Sequence, residues 1–155
     1  IYHKTASLFT TASESGAILS GLTENYVGAL KEFGYNLGMA FQIVDDILDF
    51  DGNEQEIGKP VGSDLANGIL TLPSLIAKER HPNDTAISDL FSNPGDRDRL
   101  EQAVAMVVGA SVLDKCYAVA NDFCAKARSS LLSLPKNPSR DSLEEIIGFV
   151  TARRV

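Results

Sequence analysis

The sequence predicts an all-α fold, a helical bundle, and three observations carry that expectation. Leu37, Ala40, Phe41, Val44, Ile47 and Leu48 recur at i, i+3, i+4, i+7, i+10 and i+11, the stripe of a helix that packs along one side. No alternating strand pattern, repeat or low-complexity segment appears. Start and stop signals, among them Gly21, Thr23, Asn93-Pro94-Gly95 and Pro135 to Pro138, separate the periodic stretches.

Taken in order, residues 4–20 lack proline and hold Leu8, Ala12, Ser15 and Leu19 at helical spacing. Gly21 closes that helix and Thr23-Glu24-Asn25 starts the next. Residues 24–50 form the longest element and carry the stripe above; burial at about 25 cal/mol per Å² provides most of the stability of such a helix. From Asp51 to Gly68 come Gly52, Gly58, Pro60 and Gly62 with no period, a long loop of the kind compact domains keep for function. Helix resumes over Leu72–Arg80, with Pro73 tolerated in its first turn. Asn83–Ser92 reads as a short helix and Asn93-Pro94-Gly95 as a turn. Residues 96–134 read as helix, interrupted near Gly109, where Ser111-Val112-Leu113-Asp114 has the form of a capping box. Ser139–Arg153 is a final amphipathic helix, and Ala103, Val107 and Ala110 are expected in the core.

At 155 residues the chain is the size of one domain, and 44% hydrophobic against 23% charged residues places it among globular rather than disordered proteins. The net charge of −7 argues against nucleic acid and anionic membranes as partners. A phosphorylated ligand would need a divalent cation between itself and the carboxylates. No apolar run reaches the roughly 18–20 residues of a transmembrane segment. Ile1-Tyr2-His3-Lys4 does not open a secretory leader. Cys116 and Cys124 match no zinc spacing and read as reduced packing thiols of a cytoplasmic protein.

Phe41-Gln-Ile-Val-Asp-Asp-Ile-Leu-Asp49 is the stretch that points to chemistry. At 100° per residue, Gln42, Asp45, Asp46 and Asp49 fall in one polar stripe whose centre is about 150° around the helix from the apolar one. Gly38, one turn before Gln42, leaves room for something to approach. No basic residue stands between Lys31 and Lys59, so the acids repel one another with nothing nearby in sequence to offset them. A hard cation reverses that cost: Mg²⁺ takes one or two carboxylates, keeps waters, and leaves positions for phosphate oxygens. The plainer alternative is a solvated acidic face. An EF-hand beginning at Asp49 fails, because its sixth position would be Glu54 rather than Gly and its twelfth Pro60 rather than Glu.

The same stretch, followed by Gly58-Lys59-Pro60-Val61-Gly62-Ser63-Asp64-Leu65 and Thr71-Leu72-Pro73, resembles the second aspartate-rich region of the trans-isoprenyl diphosphate synthases, the polyprenyl synthetase family. Ile1-Tyr2-His3-Lys4-Thr5-Ala6 is similar to the family's Lys-Thr segment, and Gly16-Ala17-Ile18-Leu19 to the helix after it. The resemblance implies that residues 1–155 are the C-terminal part of a single helical domain of isoprenoid-synthase-like fold. The N-terminal half, with the first aspartate-rich motif and diphosphate-binding arginines, is not in these residues. It also implies Mg²⁺-dependent head-to-tail condensation of an allylic diphosphate with isopentenyl diphosphate, giving a geranylgeranyl or longer all-trans product, and a homodimer.

By the same resemblance Asp45 is a direct Mg²⁺ ligand, with Asp46 and Asp49 close or water-mediated partners. Lys4 and Lys59 contact the allylic diphosphate, and Thr5 and Gln42 present oxygens near the developing cation. Asp64 is expected to order the loop rather than touch metal, and Arg153 and Arg154, which could contact a diphosphate, are expected to be solvated. His3 and His81 have no assigned role. Ile69 departs from a family lysine before Thr-Leu-Pro. Two other readings stand beside the synthase: a non-catalytic, truncated or regulatory subunit that binds a partner chain, and a terpene cyclase, which the Lys-Thr and Gly-Lys segments argue against. A half-bundle of this kind leaves a broad apolar surface.

Overall fold

The computed structural model of the chain describes residues 1–51 and 60–153, the side chain of Ala110 excepted. Helix follows helix, and no strand occurs among the described residues. A π-helical turn, Tyr2–Ala6, leads into α1 (Ser7–Leu19), then α2 (Glu24–Asp51), α3 (Ser63–Ala66), α4 (Leu72–Arg80), α5 (Ala86–Ser92) and α6 (Arg97–Val108). The chain continues as α7 (Ala110–Ser130), a 3₁₀ turn (Leu131–Ser133) and α8 (Pro138–Ala152).

The helix ends follow the local chemistry. Gly21 takes φ 68°, and its N–H donates to Ile18 O while Leu22 N–H donates to Ala17 O. That pair of bonds is a Schellman motif, which needs a residue free to be left-handed. Before α4, the Thr71 N–H donates to Ser74 Oγ at 3.0 Å, with Pro73 in the first turn. Asn137 Oδ1 accepts the Arg140 N–H at 2.9 Å and starts α8, with Pro138 as its first residue. Gly109, at φ −51° and ψ 123°, separates α6 from α7. Because α7 already begins at Ala110, Ser111 lies inside its first turn, and the expected capping box from Ser111 to Asp114 is corrected.

The chain divides into two compact units, Ile1–Val44 with Val119–Arg153, and Asp45–Ala118. In the first, Leu37, Ala40 and Val44 of α2 are buried, as the stripe predicts, and so is Phe33, with Cys124, Leu131, Ile147 and Val150 from the C-terminal helices. In the second, Ile47, Leu65, Ile87, Val107, Val112 and Cys116 are almost wholly removed from solvent. Each large side chain buried in this way contributes about 1.5–3 kcal/mol. Both thiols are free and buried, and Ala103 and Val107 are core.

Two expectations are corrected. Leu8, Ala12, Ser15 and Leu19 all face solvent, Leu8 at 69% and Leu19 at 87% exposure. The packed side of the first helical segment is the parallel stripe Ala6, Thr10, Ser13 and Ala17, with Thr10 Oγ1 satisfied by Ala6 O at 2.7 Å. Small side chains win there because α2 comes too close for leucine. The expected loop from Asp51 to Gly68 contains the one-turn helix α3; its stretch 52–59 lies outside the described residues.

Candidate active site

In the first unit, the opening π turn carries Lys4 and Thr5, and α2 carries Gln42. Turns of this widened kind recur at functional sites. Thr5 Oγ1 donates to Gln42 Oε1 at 2.5 Å across 37 positions of sequence, a half-buried contact. Lys4 is exposed. The contact depends on a close approach of the opening segment to α2. A Cβ on Gly38 would lie 2.6 Å from Ala6 Cα and 3.1 Å from Phe9 Cβ, well inside the ~3.5–4.0 Å of carbon–carbon contact. Gly34, one turn earlier, is as tight: its Cβ would meet Phe9 O at 2.5 Å and Ser13 Oγ at 2.7 Å. The room expected at Gly38 is therefore taken by Ala6 and Phe9, not left for a ligand. An ion pair between Lys31 Nζ and Glu14 Oε1 at 2.9 Å joins the same two helices at the surface, and that bond raises the Lys31 pKa.

The Phe41 ring packs against Phe9, with centroids 5.3 Å apart. The Arg153 guanidinium lies 4.6 Å from the Phe41 centroid, where the negative ring face attracts it. Arg153 is half-buried rather than solvated, and Arg154 lies outside the described residues. Nothing in the terminal Arg-Arg-Val signals that packing.

In the second unit the three aspartates occupy three environments. Asp45 is exposed, Asp49 half-buried, and Asp46 only 4% exposed. The expected common stripe is corrected for Asp46: one residue past Asp45 is about 100° around the helix, enough to reach the packed side with Ile47 and Phe50. The buried Asp46 charge has a neighbour that sequence reasoning missed. Burial, helped by the Asp46 charge, pushes the Cys116 thiol up from 9.0 to about 11.

Asp49 Oδ2 accepts the Asp64 N–H at 3.1 Å, and the Asp49 carbonyl accepts the Gly62 N–H at 2.8 Å. Asp64 orders the loop through its backbone, its carbonyl taking the Ile69 N–H at 2.8 Å. Tyr117 Oη donates to Asp51 Oδ2 at 3.3 Å, a partnership with no sequence signal. Ile69 is half exposed. Lys59 and Gly58 lie outside the described residues. Among the described residues no three His, Cys, Asp or Glu side chains converge as a ready-made metal cage. Asp45 and Asp49, one turn apart on α2, are hard oxygen donors of the kind Mg²⁺ accepts when water and phosphate complete its shell. The carboxylates therefore fit a cation shared with a diphosphate, and Asp46 fits it less directly.

An all-helical chain whose longest helix carries Gln42, Asp45, Asp46 and Asp49 has the all-α isoprenyl synthase fold. It superposes on the heptaprenyl diphosphate synthase of Staphylococcus aureus with a TM-score of 0.92 and 34% identity, over 98% of this chain and 48% of that one. A polyprenyl synthase from Caulobacter crescentus CB15, complexed with calcium and isoprenyl diphosphate, matches with a TM-score of 0.86 and 34% identity, over 98% of this chain and 47% of that one. In sequence, the decaprenyl-diphosphate synthase of Dictyostelium discoideum is 41% identical over 98% of this chain and 33% of its own length. The polyprenyl synthetase family model matches residues 1–107, and the chain belongs to that family. It spans between a third and a half of the relatives it matches. No single helix among the described residues is long and apolar enough to cross a membrane.

Proposed function

We propose that this chain supplies the second aspartate-rich, C-terminal half of a Mg²⁺-dependent trans-polyprenyl diphosphate synthase. That enzyme joins an allylic diphosphate to isopentenyl diphosphate and works as a cytoplasmic homodimer making a geranylgeranyl or longer product. The hydrogen bond from Thr5 to Gln42 carries the reading. It joins the Lys-Thr segment to α2, the helix whose sequence carries the second aspartate-rich motif.

The burden of the reaction is separating a multiply negative leaving group from an allylic cation. Lys4, exposed beside Thr5, attracts the departing diphosphate, and Lys59 does the same from the Gly-Lys segment. Thr5 spends its proton on Gln42 and keeps its lone pairs, so its oxygen faces a developing cation as a pure acceptor. Asp45 would hold the Mg²⁺, and Asp46 and Asp49 would assist it directly or through water. When bound, the ion supplies Lewis-acid stabilisation of the leaving diphosphate, worth several kcal/mol.

In the full-length protein, Asp45→Ala lowers kcat by about a hundredfold or more, read as transfer of labelled isopentenyl diphosphate. Unchanged turnover would sink the proposal. The 155-residue chain alone gives no product. A second reading, a non-catalytic subunit that binds a partner chain, is favoured by the exposed stripe of Leu8 and Leu19. It is separated from the first by the same assay, since a binding module shows no turnover with Asp45 intact.

A further inference from the structure

We propose that Asp49 is a positioning residue, whose carboxylate holds the segment Gly62–Ala66 at the end of α2 whether or not a cation is bound. The inference deepens the synthase reading, on which its link to the reaction rests. That reading treats Asp49 only as a partner of the metal.

Three features on different residues make the segment a built connection. The Asp64 N–H donates to Asp49 Oδ2 at 3.1 Å, a bond to an ionised acceptor and so stronger than one between neutral groups. One residue pair away, the Gly62 N–H donates to the Asp49 carbonyl at 2.8 Å, so main chain and side chain of one aspartate hold both sides of the turn. Gly62 itself sits at φ +74°, and a Cβ there would lie 2.5 Å from Val104 Cγ2. The turn is thus pressed against α6 and needs a left-handed residue without a side chain. Leu65, 1% exposed, then anchors α3 in the second unit's core.

The two bonds to Asp49 tie the chain at Gly62 and Asp64 back to the end of α2. Closing a loop costs entropy that grows slowly with its length, and here the contacts that offset it meet on one side chain and its carbonyl. The Gly58-Lys59-Pro60 sequence stands just before Gly62 in the chain. Fixing Gly62 to Asp49 sets the downstream attachment of the lysine that the synthase reading places on the diphosphate. An aspartate suits this task better than a glutamate, because its short side chain reaches a backbone amide with few rotamers to freeze.

The test is amide hydrogen exchange on the intact chain in EDTA, with no substrate, read at Asp64 and Gly62. Asp49→Ala speeds exchange of the Asp64 amide by about 10- to 100-fold, the loss of one hydrogen bond to a charged acceptor. Asp49→Asn keeps an acceptor oxygen in place and holds exchange within about threefold of the parent chain, a neutral bond being only moderately weaker. Asp45→Ala leaves the Asp64 amide unchanged. The proposal is overturned if Asp49→Ala leaves that amide as protected as before, or if Asp49→Asn exposes it as fully as alanine does. It is overturned too if protection at Asp64 appears only after Mg²⁺ and inorganic pyrophosphate are added. Exchange in EDTA involves no chemistry on a diphosphate, so a failure here leaves the synthase reading standing, and the reverse holds.

Discussion

Replacing Gly38 by alanine tests whether the close approach of the opening segment to α2 holds the Thr5–Gln42 pair. The new Cβ would stand 2.6 Å from Ala6 Cα and 3.0 Å from Ala6 Cβ, so backbone rather than a flexible side chain must give way. Reaching ordinary contact requires the π turn to retreat by about 1 Å. Overpacking of this kind costs about 1–3 kcal/mol, and alanine returns roughly 0.5–1 kcal/mol through its better helix propensity. Because backbone must move, the upper part of that cost applies, about 2–3 kcal/mol, and the net loss is about 1–2.5 kcal/mol; a chain of this length loses roughly 2–4 °C per kcal/mol, so the Tm falls by about 2–10 °C. Gly28 is the internal control. It sits on the same helix with nothing within 4 Å of its Cβ position, so Gly28→Ala raises the Tm by about 1–4 °C. Thermal unfolding followed by circular dichroism reads both. A Gly38→Ala protein that melts at or above the parent, or no difference in sign between the two substitutions, would refute the packing argument. The same retreat stretches the Thr5–Gln42 bond beyond about 3.2 Å, where hydrogen bonds weaken. On the proposed synthase reading, Gly38→Ala should therefore also lower turnover in the full-length protein although it touches no substrate.

Two further outcomes follow from groups away from that contact. Cys116 titrates near 9.0 when free and at about 11 in the folded chain, so the folded state keeps a proton that the unfolded state loses. Its contribution to stability is complete below about pH 9 and declines as pH rises towards 11, with a slope of at most about 1.4 kcal/mol per unit. Urea denaturation at pH 8, 9, 10 and 11 should show that decline, and Cys116→Ala should flatten it. Asn137→Ala removes the acceptor for the Arg140 N–H and costs about 1 kcal/mol. Urea midpoints should report it, and a neutral result would mean the cap is dispensable beside the anchors Arg140 makes to Leu134 O and Glu144.

How much of the fold can be read in the sequence depends on how loudly each stretch repeats. The apolar stripe runs unbroken for about three turns over Leu37–Leu48 within the helix read at 24–50, and the helix observed is Glu24–Asp51. Leu72–Arg80 matches to the residue because Pro73 marks its first turn. The first helix was legible as a helix but not in its orientation. Leu8, Ala12, Ser15 and Leu19 share a face, as do Ala6, Thr10, Ser13 and Ala17, and hydropathy favours the wrong one. Only the glycines at 34 and 38 on the opposing helix explain why the small face is buried. The turn Ser63–Ala66 is too short to show any period, so a glycine-rich stretch hid it.

The candidate site divides along the same line. Thr5 and Gln42 are 37 positions apart, and no periodicity joins them; the motif resemblance named both, and the fold supplies the hydrogen bond. The acidic cluster was legible as a cluster but not as three roles. On a helix packed along one side, consecutive aspartates cannot share an environment, since each step turns about 100°. A doublet such as Asp45-Asp46 must place one carboxylate outward and swing the other towards the packed side. The third, at i+4 from Asp45, returns to the outward side one turn on, within reach of the chain that leaves the helix. The spacing of the motif is thus a division of labour written in helical angle. Asp45 faces solvent; Asp46 is enclosed with Cys116; and Asp49 receives the backbone of the segment beyond the helix end.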